Sequence, residues 1–210
     1  MTPHRLGILL SGRGSNFLAI AQAITQGQIS NAGIAVVISN RSDAPGVAAA
    51  RSAGFATEVI EPRGRQRAEH DAEIVATLQA HKVDLVCLAG YMRLLSAEFV
   101  RAFPQRILNI HPSLLPAFPG LEAQLQALKY GVTVSGCTVH FVDEELDHGV
   151  IVLQKTVPVL AEDDEHTLAA RILAQEHVAY AEAIELVLSG DYQVAGRRYV
   201  RRKPNGPRPG

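Results

Sequence analysis

A chain of 210 residues with 47% hydrophobic content, a net charge of −1 and two cysteines can close one substantial core, and it excludes a disulfide scaffold. No apolar run approaches the length of a membrane-spanning helix, and Met1–Leu10 is too short for a signal peptide core with its cleavage site. With 5% aromatic residues and no Trp, the core must be aliphatic, which suits strands and helices in alternation.

Arg5–Leu10 reads as a strand, Ser11–Asn16 as a glycine loop and Asn16–Gln26 as a helix with apolar residues at helical spacing. Gly33–Ser39 is a second strand. A helix over Gly46–Ala53 stops at Gly54, Ala56–Glu61 is a short strand, and Gln66–His81 is a longer helix with Ile74 and Leu78 on one face. Asp84–Leu88 reads as a buried strand. A helix near Ala97–Phe103 is ended by Pro104, and the strand Arg106–Ile110 leads into the loop His111–Gly120. Leu121–Tyr130 is helical. Thr133–Val142 and Val150–Val159 read as an antiparallel pair around the acidic turn Asp143–Gly149, and Thr167–Leu188 as an amphipathic helix that packs back on the sheet.

The expected architecture is therefore α/β: a mostly parallel twisted sheet with helices on both faces and an antiparallel strand pair toward the carboxyl terminus. Residues 1–190 read as a single domain. Cys87 and Cys137 lie inside apolar strand-like runs and read as small buried residues in a reducing, cytoplasmic setting. Residues 191–210 read as a basic extension, because Arg197, Arg198, Arg201, Arg202, Lys203 and Arg208 bring six positive charges and no acid to the last fourteen residues. Such a tail can mark a nucleic-acid partner. Its three prolines and three glycines from position 196 onward favour a frayed, solvated terminus instead, and no nucleic-acid partner is expected.

The run Ser11-Gly12-Arg13-Gly14-Ser15-Asn16 follows a strand and opens a helix, where backbone N–H groups and the helix dipole favour a phosphate. Phe17 stands where a dinucleotide fingerprint has its third glycine, and the second strand ends in Ser39-Asn40 with no acid for a ribose hydroxyl. No Gly-Lys-Ser/Thr is present either. A single phosphate fits better than a pyrophosphate.

The stretch Asn109-Ile110-His111-Pro112-Ser113-Leu114-Leu115-Pro116 ends a predicted parallel strand, where ligands gather in such sheets. Asn109 and His111 are two apart, so an extended chain projects an amide and an imidazole to one side. Further on, Asp147 stands in a tight turn and can hydrogen-bond an imidazole, holding it cationic.

These segments, with Phe118-Pro119-Gly120 and Thr138-Val139-His140-Phe141, closely resemble the phosphoribosylglycinamide formyltransferase family over about Arg5 to Leu188. The resemblance implies a formyltransferase-like fold and transfer of a formyl group from 10-formyltetrahydrofolate to the amine of glycinamide ribonucleotide, in purine synthesis. It implies a catalytic set of Asn109, His111 and Asp147. It implies that the nucleotide contacts Gly14, Ser15 and Asn16 through its phosphate and Leu173, Ala174, Gln175 and Glu176 near its amine. The folate is expected against Arg67, Met92, Arg93, Leu94, Leu95, Asn109 and the turn Asp143, Glu144, Glu145, Leu146, Asp147. Both ligands are small molecules; no metal and no membrane are implied, and monomer and homodimer stay open.

Read without the family, His111 serves equally well as a satisfied loop histidine, Asp147 as a turn former, and Glu176 as part of a solvated helix face. His140 reads as a core or near-site histidine, and His148 stands where many family members carry a small residue; it is expected at the folate pocket entrance without a catalytic role. A zinc site from His111, His140, Asp147 and His148 has suitable ligands but no short ligand-pair spacing. A methionyl-tRNA formyltransferase would add an RNA-binding domain at the carboxyl end and a formyltetrahydrofolate hydrolase a regulatory domain at the front; the sequence carries neither, so the glycinamide branch is expected. A non-catalytic nucleotide sensor would have no need of Asn109, His111 and Asp147 together.

Overall fold

A computed structural model of the chain describes residues 3–202. Its elements are β1 (His4–Leu10), α1 (Ser15–Thr25), β2 (Ala32–Ser39), α2 (Pro45–Ser52), β3 (Thr57–Val59), α3 (Arg67–Ala80), β4 (Leu85–Leu88), α4 (Ala97–Ala102) and β5 (Ile107–His111). They continue with α5 (Ala123–Tyr130), β6 (Val134–Phe141), β7 (Ile151–Pro158), α6 (Glu165–Leu188), β8 (Tyr192–Ala195) and β9 (Arg198–Arg201). Seven strands form one sheet in the order β3-β2-β1-β4-β5-β6-β7. The first five are parallel, and β6 and β7 join antiparallel at the β5 edge.

Alternation along each buried strand divides the core between the two faces. Leu6, Ile8 and Leu10 of β1 and Leu85 and Cys87 of β4 pack with Phe17 and Ile20 of α1, Val47 of α2 and Ile172 of α6. Their strand neighbours Leu9, Val86 and Leu88 turn to the other face and pack with Ile74 and Leu78 of α3 and Phe99 of α4. Helix α6 is fixed to the sheet by Tyr180, fully buried, whose hydroxyl lies 3.1 and 3.0 Å from the carbonyls of Leu88 and Leu108 on adjacent strands. Both cysteines are free and buried, and burial pushes each thiol up to about 12. No helix among the described residues is long and apolar enough to cross a membrane.

Three elements differ from the sequence reading by more than one residue at a boundary. Strand β3 has three residues where six were expected, because as an edge strand it pairs only with β2. Helix α5 starts at Ala123, since Glu122 takes a left-handed φ of 55°. Helix α6 starts at Glu165, two residues early, through a capping box: the Asp164 carboxylate accepts from the Thr167 N–H at 2.8 Å, and the Thr167 hydroxyl accepts from the Asp164 N–H at 3.0 Å.

The carboxyl-terminal segment needs a larger correction. Residues 192–201 form the hairpin of β8 and β9 rather than a frayed terminus; Lys203–Gly210 lie outside the described residues. Tyr192 stacks on Tyr199 at 5.4 Å, and Tyr199 meets Phe141 edge-on at 5.4 Å, so apolar faces outweigh the local charge. At the hairpin tip, Arg197 donates to the His148 carbonyl, and its guanidinium nitrogen lies 3.3 and 3.1 Å from the two ring nitrogens of His148, over the ring face.

Between β6 and β7 the chain doubles back through residues 143–149. Gly149 makes this possible, because a Cβ there would run into the Phe141 carbonyl, which is backbone and cannot move aside. Replacing Gly149 by Ala is expected to lower stability by about 1–3 kcal/mol through overpacking, measured as the shift of the urea unfolding midpoint. An unchanged midpoint would show that the turn tolerates a side chain and that this close approach does not shape it.

Candidate active site

The site begins with strand pairing. In the β5–β6 ladder Asn109 stands opposite His140 and His111 opposite Thr138, so all four side chains share one sheet face. His140 is 2% exposed; its Nδ1 lies 2.8 Å from the Phe141 carbonyl, so Nδ1 carries the proton and Nε2 offers a lone pair. The Asn109 amide nitrogen, 3.2 Å from that Nε2, donates to it. Burial holds the His140 pKa below the ordinary value of 6.5, opposed by the Phe141 carbonyl and the Asp147 charge. A neutral His140 therefore dictates which way the Asn109 amide faces, leaving the second amide N–H free.

The 143–149 turn brings Asp147 to the same face, with φ at 50°, in the left-handed region that a non-glycine residue takes only when its surroundings hold it there. Its Oδ2 accepts from the Gly120 N–H at 2.8 Å and lies 3.4 Å from His111 Nδ1, and its Oδ1 lies 3.7 Å from His140 Nε2. The side chain is 8% exposed. The other His111 nitrogen, Nε2, donates to the Phe118 carbonyl at 2.9 Å. His111 Nδ1 thus faces the Asp147 carboxylate while the Phe118 carbonyl holds Nε2, which fixes the plane of the ring.

Thr138 fixes the loop that carries these contacts. Its buried hydroxyl donates to the Ser113 carbonyl at 2.7 Å and accepts from the Leu115 N–H at 3.0 Å and the Gln154 amide at 2.9 Å. Phe118, which supplies the carbonyl to His111, takes a positive φ of 53°.

The glycine loop forms a second part of the site. Gly14, at φ 76°, caps α1 without a side-chain bond, and no acidic residue stands in the first turn, so the leading N–H groups and the positive helix end are uncompensated. The Gly46 N–H donates to the Gly12 carbonyl at 3.0 Å, and a Cβ on Gly14 would come within 3.0 Å of the Gly46 Cα, so α2 buttresses the loop from behind. Asn16 donates to Glu176 of α6 at 2.8 Å, and its own Oδ1 is buried without a protein partner. Glu176 is 8% exposed, not on a solvated face, and burial raises its pKa against the opposing Asn16 bond. Leu173 and Gln175 are partly buried beside it, and Ala174 is exposed.

The remaining expected residues lie on segment 92–95, in the 143–147 turn and at the start of α3. Ser11 accepts from the Met92 N–H at 2.8 Å, which ties segment 92–95 to the glycine loop. Met92 is 72% exposed and Leu94 55%, large apolar side chains held out of the core, while Arg93 and Leu95 are partly buried. Leu146 is also 55% exposed. Asp143 accepts from Glu145 N–H at 3.0 Å and lies 2.8 Å from His148 Nδ1, and Glu144 reaches Arg101. Arg67 is exposed at the first position of α3. The structure thus brings Asn109, His111 and Asp147 together, and Asn16 with Glu176; His148 turns away to Asp143 and Arg197. Sequence reasoning undervalued His140, although its even spacing from Thr138 on a strand placed both on one face. A groove of about 630 Å³ between α1 and α6, lined in part by Gln22, His177 and Glu182, holds none of these residues.

Comparison with known proteins adds an independent line. Residues 4–184 match the family model described as formyl transferase. The chain is 46% identical over 188 residues to the trifunctional purine biosynthetic protein adenosine-3 of Drosophila melanogaster, covering 89% of this chain but only 14% of that longer protein. It is 43% identical over 184 residues to the phosphoribosylglycinamide formyltransferase of Escherichia coli (strain K12), covering 87% of this chain and 86% of that one. The crystal structure of glycinamide ribonucleotide transformylase 1 from Symbiobacterium toebii superposes with a TM-score of 0.93 at 51% identity, over 96% of this chain and 95% of that one. A seven-stranded sheet of this order, an Asn-His-Asp meeting point on β5 and the β6–β7 turn, and these matches lead to one conclusion: the chain belongs to the formyl transferase family.

Proposed function

We propose that the protein transfers the formyl group of 10-formyltetrahydrofolate to the primary amine of glycinamide ribonucleotide in purine biosynthesis. The observation that carries this reading is the meeting of Asn109, His111 and Asp147 beside an uncompensated helix start. The N–H groups of Gly14, Ser15 and Asn16 hold the nucleotide phosphate. Glu176, fixed by Asn16, receives the glycinamide end, and the unpartnered Asn16 Oδ1 accepts from a substrate hydroxyl or amine. The exposed apolar Met92, Leu94 and Leu146 suit a flat pterin, with Arg67 toward the acidic end of the folate.

Attack of the amine on the formyl carbon places negative charge on the formyl oxygen. The free Asn109 N–H donates to that oxygen. His111 Nδ1 joins it, since 3.4 Å to Asp147 is too long for a good hydrogen bond and Nε2 is committed to Phe118. Each donor of this kind contributes a factor of roughly 10² to 10³. The Phe118 carbonyl keeps the imidazole oriented, with the Asp147 carboxylate beside it. Asp147 Oδ1, which makes no protein hydrogen bond among the described residues, takes the amine proton and passes it to the departing folate nitrogen, directly or through water. Cytoplasmic residence accords with the two free, buried thiols.

Purified protein mixed with glycinamide ribonucleotide and 10-formyltetrahydrofolate is expected to release tetrahydrofolate only when both are present, followed by pterin absorbance. Turnover without the amine would instead indicate a hydrolase. Asp147→Asn is expected to lower kcat by about 10²-fold or more while the nucleotide dissociation constant, measured calorimetrically, stays within about two-fold. Loss of nucleotide binding in that variant would move Asp147 into the phosphate or ribose site.

The His140 pKa yields a pH prediction. The neutral ring is the form that accepts from Asn109, and its pKa is lowered in the folded chain. Activity should therefore persist as pH falls through 6.5 and decline only below the lowered value. Stability follows the same sign: the unfolded chain binds this proton first, so the His140 contribution is present above 6.5 and is lost as pH falls toward the folded value. A pH titration of the His140 ring followed by NMR checks this; a midpoint at or above 6.5 would contradict it.

A further inference from the structure

Seven buried side-chain atoms lack a hydrogen-bond partner among the described residues, and four of them gather behind segment 92–95: His70 Nδ1, Asp71 Oδ1, the Tyr91 hydroxyl and Arg93 Nε. His70 is 0% exposed and Asp71 1%. Burying such groups together is costly unless the cluster holds something in place.

The bonds that are made show what is held. His70 Nε2 donates to the Ile60 carbonyl at 2.7 Å, which leaves Nδ1 facing Asp71 Oδ1 at 3.5 Å. At that distance the two atoms make no direct hydrogen bond, and both stay without a partner among the described residues. The other carboxylate oxygen, Oδ2, accepts from the Ser96 N–H at 2.6 Å. Ser96 caps α4 by accepting from the Phe99 N–H at 3.3 Å, and Phe99 is fully buried. Segment 92–95 is thus pegged at both ends, by Ser11 at Met92 and by Asp71 at Ser96. Between the pegs, Met92 and Leu94 are held outward. Burial pushes the Tyr91 phenol up, with the charge of Asp71 adding to it and the Arg93 guanidinium opposing it through its charge, so that hydroxyl feels both the carboxylate and the guanidinium.

We infer that Asp71, backed by His70, is a positioning residue for the formyl donor: its bond to the Ser96 N–H sets segment 92–95 in the shape that grips the folate. This rests on the proposed placement of the folate against Met92–Leu95. The carboxylate touches neither substrate and acts through the loop, as support for a binding surface does in general.

The Asn variant separates this role from bulk stability. In Asp71→Asn the amide oxygen accepts from the Ser96 N–H, so the peg survives. In Asp71→Ala that bond goes. With the full-length chain, Asp71→Ala is expected to raise the KM for 10-formyltetrahydrofolate about ten-fold, with kcat and the glycinamide ribonucleotide KM within about two-fold, and Asp71→Asn to restore the donor KM. Amide hydrogen exchange should show faster exchange over residues 92–96 in the Ala variant only. Equal loss of affinity for both substrates, an unchanged donor KM in the Ala variant, or an Asn variant as impaired as Ala would overturn the inference. If the wild-type chain turns over neither substrate, the functional reading fails, and the exchange at 92–96 still decides whether Asp71 shapes the loop.

Discussion

The antiparallel pairing of β6 against β5 is the constraint on which the rest depends. It sets Asn109 directly across from His140, so a buried imidazole lone pair orients the amide. The same ladder puts Thr138 across from His111, and the Thr138 hydroxyl then anchors the loop whose Phe118 carbonyl holds the other imidazole. A slip of β6 by one residue would turn Thr138 and His140 to the face opposite Asn109 and His111 and abolish the site. The burial of Asn109, His140 and His111 thus has a use beyond packing: each polar group constrains the next.

Charge placement follows from that scaffold. Asp147 is brought in by a turn that only a glycine at 149 lets close, and it takes a left-handed backbone conformation to reach the two histidines. The hairpin of β8 and β9 holds the same turn through Arg197 and packs on the end of β6 through Tyr199. The nucleotide end obeys different physics. There, on the proposed reading, uncapped backbone N–H groups at the start of α1 meet the phosphate, and the buried Glu176 meets the amine.

Much of this was legible in the residues. Alternating apolar runs defined every strand of the main sheet and every helix, and the two-residue spacing of Asn109 and His111 put them on one side of a strand. Other features depended on contacts that no local pattern encodes. His140 read as a core or near-site histidine without a role, because its importance comes from register with β5, a pairing of residues 31 apart in the chain. The β8–β9 hairpin was hidden by its arginines, since its stability comes from Tyr199 against Phe141 across the fold. The start of α6 was legible from Asp164 and Thr167 as a capping pair, a signal that the apolar periodicity alone does not contain. The Asp71–Ser96 bond joins α3 to α4 and is invisible without coordinates.

The central claim is that the amide of Asn109 and the carboxylate of Asp147 act on one reacting carbon as a unit. A double-mutant cycle with Asn109→Ala and Asp147→Asn, read as kcat/KM for formyl transfer, tests it most directly. The account predicts that the double variant loses far less than the product of the two single losses, because either change alone disables the shared transition-state contact. Losses that multiply independently would contradict it and would assign the two residues to separate tasks.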